Sequence, residues 1–114
     1  MLLAWRYAMS VDQFKAEVAK KERFEFGKNW KFFLEKLDDE KISFAKASLL
    51  KMVDMKLLEG RTFLDIGSGS GLSSLVAMNC GAKVTAFDYD ESSVWCTREL
   101  KSRYYSGDVN WEIH

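Results

Sequence analysis

The sequence predicts an α/β fold in which three parallel strands, in the spatial order 3-2-1, follow N-terminal helices. Residues 62–78 read as an apolar strand, a glycine-rich turn and an apolar helix. Residues 83–88 read as a second strand, and residues 109–113 alternate apolar and polar side chains like a third. Right-handed crossovers place the third strand beside the second, which gives the predicted order.

The turn after the first predicted strand carries three glycines, Gly67, Gly69 and Gly71, at alternate positions. A glycine there can adopt a positive φ and lets a ligand approach the backbone with no Cβ in the way. The N–H groups at the start of the helix that follows point toward such a ligand. This arrangement is typical of a nucleotide-like cofactor at the carboxyl end of a parallel strand.

An acidic residue ends the second predicted strand. Asp88 follows Gly67 by about 20 residues, the spacing at which a doubly wound fold places an acid on ribose hydroxyls. Gly81 stands where the intervening helix has to end. The order of these parts is that of one strand–helix–strand unit, which is stronger evidence than glycines alone.

Two residues bear on which cofactor is held. A dinucleotide site requires glycine or alanine at the position of Leu72. Asp65 directly precedes the turn, where a carboxylate would repel a pyrophosphate but suit a ligand with an ammonium group. An NAD- or FAD-binding protein is therefore the weaker alternative. In a second alternative the glycines only make a tight turn and Asp88 only begins a helix, which leaves Asp65 without an obvious purpose.

At these residues the chain resembles the class I S-adenosylmethionine-dependent methyltransferases. The stretch LDIGSGSG is similar to their first motif, and VTAFDYD is similar to the end of their second strand. The resemblance covers approximately residues 23–114 and implies the front half of a Rossmann-like methyltransferase fold. It implies cofactor contacts from Asp65, Gly67 and Gly69 at the methionine end, from Ser68, Ser70 and Gly71 along the turn, from Asp88 on the ribose, and from Tyr89 on the adenine.

An aromatic-rich segment precedes the first predicted strand. In related methyltransferases such a segment often covers the cofactor, so the resemblance makes Phe26 and Trp30 candidate lid residues, with Phe24 as a third. A cation–π contact with the sulfonium is worth roughly 0.5–2 kcal/mol. The alternative is that these aromatic residues only pack a helix against the sheet.

Composition restricts the function further. The 114 residues carry 17 basic and 17 acidic side chains, so no basic surplus indicates nucleic acid. Cys80 and Cys96 are expected to be reduced, as in a cytoplasmic protein, and the lone His114 gives no metal site. No signal peptide or membrane span is expected. We therefore expect a small-molecule methyl acceptor, with no nucleic acid or membrane partner.

The domain organisation follows from these elements. Residues 1–59 are expected to form an N-terminal helical segment, and residues 60–114 the first part of the cofactor-binding domain. A first helix is expected from Ser10 or Asp12 to about Lys21, after a loosely docked N-terminus. The resemblance implies that the family's later strands and acceptor site lie outside these residues. The isolated chain is expected to be inactive, either as a fragment of a longer enzyme or as a natural short product such as an adaptor, and the exposed edge of its first strand is expected to favour self-association.

Overall fold

The sheet has four parallel strands. The computed structural model describes residues 2–4 and 22–114, with side chains from residue 28 onward apart from Met55. The strands are β1 (Leu2–Ala4), β2 (Thr62–Ile66), β3 (Lys83–Phe87) and β4 (Trp111–Ile113), and they neighbour one another in that order. The α/β class and the relative order of the three predicted strands are confirmed.

The strand that the sequence analysis did not predict is β1. It pairs in parallel with β2, with Leu2 opposite Phe63 and Ala4 opposite Asp65. The sheet therefore holds one strand more than the three predicted, because a three-residue strand is too short to show an alternating pattern. Since β1 covers the edge of β2, the prediction that this edge is exposed for self-association is wrong.

Five helices connect or precede the strands within the described residues. They are α1 (Glu22–Lys36), α2 (Asp39–Met52), α3 (Met55–Leu58), α4 (Leu72–Asn79) and α5 (Glu91–Tyr104). Asp38 caps α2 by accepting from Lys41 N at 2.9 Å, and Asp90 caps α5 by accepting from Ser93 N at 3.0 Å. Aspartate is among the residues favoured at this position of a helix. The predicted helix from Ser10 or Asp12 to Lys21 lies outside the described residues, and the division into 1–59 and 60–114 stays a prediction.

The core lies on one face of the sheet. Phe63, Val84 and Trp111 form a continuous row across β2, β3 and β4, and all three side chains are buried. Leu75 of α4 and Leu100 of α5 are fully buried in the same core. On the opposite face, at the carboxyl ends of β2 and β3, Ile66 is 48% exposed and Phe87 is 41% exposed. The packed face fixes β2 in place and thereby fixes the glycine turn that follows it.

Both cysteines are free and buried. Burial raises the pKa of the Cys96 thiol to about 12 and also raises the pKa of the Cys80 thiol. Both are therefore protonated at neutral pH and make poor nucleophiles. Among the residues that the structure describes, no helix is long and apolar enough to cross a membrane, and no cluster of side chains suits a metal ion.

Candidate cofactor site

The glycine turn is anchored to the end of β3. The N–H groups of Gly67 and Ser68 both donate to the carbonyl of Phe87, at 2.8 and 3.0 Å. Gly71 N donates to Ser68 O at 2.9 Å and closes the turn before α4 begins. Gly67 and Gly69 have φ values of 75° and 56°, a left-handed conformation that favours glycine. The turn therefore has a fixed position relative to the carboxyl end of β3.

Asp88 directs its carboxylate at this turn. Oδ2 accepts from Gly69 N at 2.9 Å, and Oδ1 accepts from Asp90 N at 2.8 Å. An ionised carboxylate has about four acceptor positions, so each oxygen keeps capacity for a ligand hydroxyl. Burial raises the pKa of Asp88 above its ordinary value, and the backbone N–H groups of Asp90 and Gly69 partly offset that rise. The fold thus brings Asp88 into contact with the glycine turn, as the sequence predicts.

The three glycines of the turn have different surroundings. Gly67 is exposed, and a Cβ built on it would meet no atom within 4 Å. A Cβ on Gly69 would lie 3.6 Å from Cζ2 of Trp30. A Cβ on Gly71 would lie 2.7 Å from Oγ1 of Thr97, because the backbone there packs directly on α5. Gly67 is therefore open to solvent, whereas Trp30 covers Gly69 and Thr97 covers Gly71, and ligand contacts by these glycines stay predictions.

Asp65 connects β2 to α4. Its side chain is only 2% exposed, and Oδ2 accepts from Ser74 Oγ at 2.7 Å. This hydrogen bond gives the carboxylate a structural purpose that is not evident from the sequence. Direct contact between Asp65 and a cofactor stays a prediction.

The two serines of the turn point inward. Ser68 and Ser70 are both buried. Ser68 Oγ lies 3.4 Å from Thr97 Oγ1, and Ser70 Oγ accepts from Leu72 N at 3.3 Å. Both side chains therefore face the protein interior, and contact of either serine with a cofactor stays a prediction.

The aromatic residues predicted to contact the cofactor differ in their exposure and position. Tyr89 is 72% exposed beside Asp88, and its contact with an adenine ring stays a prediction. Trp30 is half-buried, donates from Nε1 to Ser93 Oγ at 3.0 Å and lies beside Gly69. Phe26 lies in α1, as does Phe24, but their side chains lie outside the described residues.

Two neighbours of the turn were not predicted as site residues. Ser93 and Thr97 both lie on α5 and face the site, at 3.0 Å from Trp30 Nε1 and 3.4 Å from Ser68 Oγ respectively. Thr97 lies at helical spacing from the buried Leu100, but nothing local to Ser93 or Thr97 indicates its partner.

The comparison with protein families decides the identity. The family model described as ribosomal protein L11 methyltransferase (PrmA) matches residues 46–104, just over half of the chain. The chain belongs to this family. The family is one of class I S-adenosylmethionine-dependent methyltransferases, so the resemblance inferred from the two motifs is confirmed.

A curated relative of this PrmA-family chain agrees with the assignment. It is a ribosomal protein L11 methyltransferase from Helicobacter hepaticus (strain ATCC 51449 / 3B1), 38% identical over 48 residues. The aligned stretch covers 42% of the present chain and 15% of the relative. The PrmA-family chain thus matches only a small part of the relative's length, and no solved structure matches it significantly.

The expected methyl acceptor requires a correction. The composition of the chain predicts a small molecule, but the matched family and the relative are both named for methylation of a ribosomal protein. The prediction is therefore wrong. It failed because the glycine turn and Asp88 carry information about the methyl donor, and the composition of this PrmA-family chain carries little about the acceptor.

Proposed function

We propose that the chain is the S-adenosylmethionine-binding portion of a methyltransferase that acts on a protein. The observation that supports this most is the Asp88 carboxylate, which accepts from Gly69 N at 2.9 Å while Gly67 beside it is open to solvent. An acid and an open glycine backbone thus lie together at the carboxyl end of two parallel strands, where nucleotide ligands bind in this type of sheet.

Each part of the ligand has a proposed partner. The backbone at Gly67 and Gly69 would hold the methionine end, Asp88 would accept from the two ribose hydroxyls, and Tyr89 would lie against the adenine. Asp65 would support this arrangement through Ser74, which fixes the start of α4 relative to β2.

The contribution of the chain to the reaction is positioning. S-adenosylmethionine, when bound, supplies a methyl group on a sulfonium sulfur. Holding reactants in line supplies roughly 7–11 kcal/mol of barrier lowering, so the residues of this site need no proton-transfer machinery for that part. None of the described residues is assigned as a general base. The protein acceptor rests on the names of the matched family and relative.

The dinucleotide alternative fits the turn less well. The third glycine of that fingerprint serves close packing of the helix, and Leu72 stands in its place. Close packing is provided instead by Gly71 against Thr97 of α5. The turn therefore has a spacing different from that of a dinucleotide site.

Isothermal titration calorimetry tests the proposal directly. We expect S-adenosylmethionine to bind the chain. We expect NAD, titrated at the same concentrations, to give no heat of binding. The reason is that the site offers a ribose acid but no glycine at position 72 for a pyrophosphate turn. Binding of NAD in place of S-adenosylmethionine would contradict the proposal. Binding of neither would also contradict it and would favour the inactive-fragment interpretation.

The affinity for S-adenosylmethionine should depend on pH through Asp88. Burial raises the pKa of this carboxyl above its ordinary value of 3.8, and only the ionised form accepts strongly from both ribose hydroxyls. Affinity should therefore be full at neutral pH and fall as the pH decreases through the raised pKa, beginning above pH 3.8. Calorimetric titrations at a series of pH values measure this.

Unfolding linked to Asp88 does not account for such a loss of affinity. Because the folded pKa is raised, the folded state binds this proton more tightly than the unfolded state does. The contribution of Asp88 to stability is thus fully present below pH 3.8 and is lost as the pH rises through the raised pKa.

The matched control for the pH dependence of affinity is Asp88→Asn, which should bind S-adenosylmethionine more weakly and lose the pH dependence in this window. An unchanged dependence in that variant would assign the titration to another group.

A further inference from the structure

Five residues from four parts of the chain form a closed set of contacts around the candidate site. Trp30 Nε1 donates to Ser93 Oγ at 3.0 Å, and Ser93 Oγ donates to Asp90 Oδ2 at 3.2 Å. Asp90 N donates to Asp88 Oδ1 at 2.8 Å, and Asp88 Oδ2 accepts from Gly69 N at 2.9 Å. The indole of Trp30 then lies beside Gly69, which completes the set. We call these five residues the Trp30 network.

The network includes two residues that no ligand needs to touch. Ser93 is buried at the first turn of α5, and Asp90 caps that helix. Their hydrogen bonds join Trp30 of α1 to the loop that carries Asp88. A second contact holds the same two helices together, because Arg103 donates to Leu34 O at 2.7 Å. The position of α1 is thus coupled to the position of the Asp88 carboxylate.

We propose that Trp30 and Ser93 are positioning residues that hold the Asp88 loop against the glycine turn and so set the affinity of the site for S-adenosylmethionine. The effect on affinity rests on the proposed function. The positioning itself is a property of the ligand-free chain. Ser93 acts through Asp90 on Asp88, and Trp30 acts both through Ser93 and by covering Gly69.

Two variants remove the central hydrogen bond from opposite sides. Trp30→Phe keeps an aromatic ring but loses the indole N–H, and Ser93→Ala loses the hydroxyl but keeps the backbone N–H that Asp90 caps. A neutral hydrogen bond contributes about 0.5–1.5 kcal/mol, so each variant should weaken S-adenosylmethionine binding about 3- to 10-fold. The double variant should weaken binding by less than the product of the two single effects, because both variants remove the same hydrogen bond between Trp30 and Ser93.

Matched controls separate the network from general effects of substitution on α5. Trp95→Phe and Ser102→Ala change the same residue types on that helix, at exposed positions outside the network. Their affinities should stay within about twofold of wild type. Ser93→Thr restores a hydroxyl and should recover most of the affinity that Ser93→Ala loses.

A ligand-free measurement distinguishes failure of this inference from failure of the proposed function. Amide hydrogen exchange of Gly69 and Asp90 should become about 3- to 10-fold faster in Trp30→Phe and in Ser93→Ala, and remain unchanged in both controls. Unchanged exchange in the two network variants would overturn the inference, whatever the wild type binds. Faster exchange with affinity unchanged would overturn the role in binding. If exchange is faster in the two network variants but the wild type binds no S-adenosylmethionine, the positioning is supported and only the proposed function is rejected.

Discussion

Replacing Asp88 by alanine should lower the affinity for S-adenosylmethionine at least about 100-fold. The variant removes the acceptor for both ribose hydroxyls, and a hydrogen bond to a charged group contributes about 1.5–3 kcal/mol. It also leaves Gly69 N and Asp90 N without the carboxylate that now accepts from them, so the turn loses part of its support. Isothermal titration calorimetry at pH 7 measures the change.

Asp108→Ala is the matched control for this experiment. Asp108 is exposed in the loop between α5 and β4, away from the turn, and its removal should leave the affinity within about twofold of wild type. Circular dichroism should show that both variants remain folded. If folded Asp88→Ala binds within threefold of wild type, Asp88 does not hold the ribose.

Gly71→Ala should lower the free energy of unfolding by about 2–5 kcal/mol. Gly71 has a φ of 84°, and the left-handed conformation costs an L-residue about 1–2 kcal/mol. The added Cβ would lie 2.7 Å from Oγ1 and 2.9 Å from Cα of Thr97, and overpacking of this kind costs about 1–3 kcal/mol more. Urea denaturation measures the loss, provided that the slope of the transition is unchanged.

Gly107→Ala separates the two contributions. Gly107 has a similar φ of 81°, but a Cβ there would meet no atom within 4 Å, so the variant should lose only the conformational part of about 1–2 kcal/mol. Adding Thr97→Ala to Gly71→Ala should recover part of the stability lost to overpacking. The second substitution removes Oγ1 and Cγ2 of Thr97, which crowd the added Cβ, but leaves Cα in place. Equal losses in the two glycine variants would show that Gly71 is not a packing residue.

The parts of the site that could be predicted from sequence are those that a few neighbouring residues encode. Asp38 and Asp90 are identifiable as caps because the side chain and its backbone partner are three residues apart. The turn after β2 and the acid after β3 are identifiable because one strand–helix–strand unit fixes how far apart they lie along the chain. Their proximity in space then follows from the parallel pairing of the two strands.

The roles within the turn could not be predicted in the same way. Three glycines at alternate positions look equivalent in the sequence, yet only Gly71 packs on α5, because the direction of α5 brings Thr97 to that position. The purpose of Asp65 depends on Ser74, nine residues away on α4. A burial pattern predicts that a residue points inward, but it does not identify the atom that the residue meets.

The sequence by itself determined the fold class, the glycine turn with its acid, and the methyltransferase family, because each of these is encoded in local patterns of spacing and residue type. The tertiary structure alone decided that Leu2–Ala4 joins the edge of β2 and that Trp30 meets Ser93, 63 residues further along the chain. Such contacts leave no local pattern. They form because the packing of the sheet and helices brings distant segments together, and that packing depends on the whole chain at once.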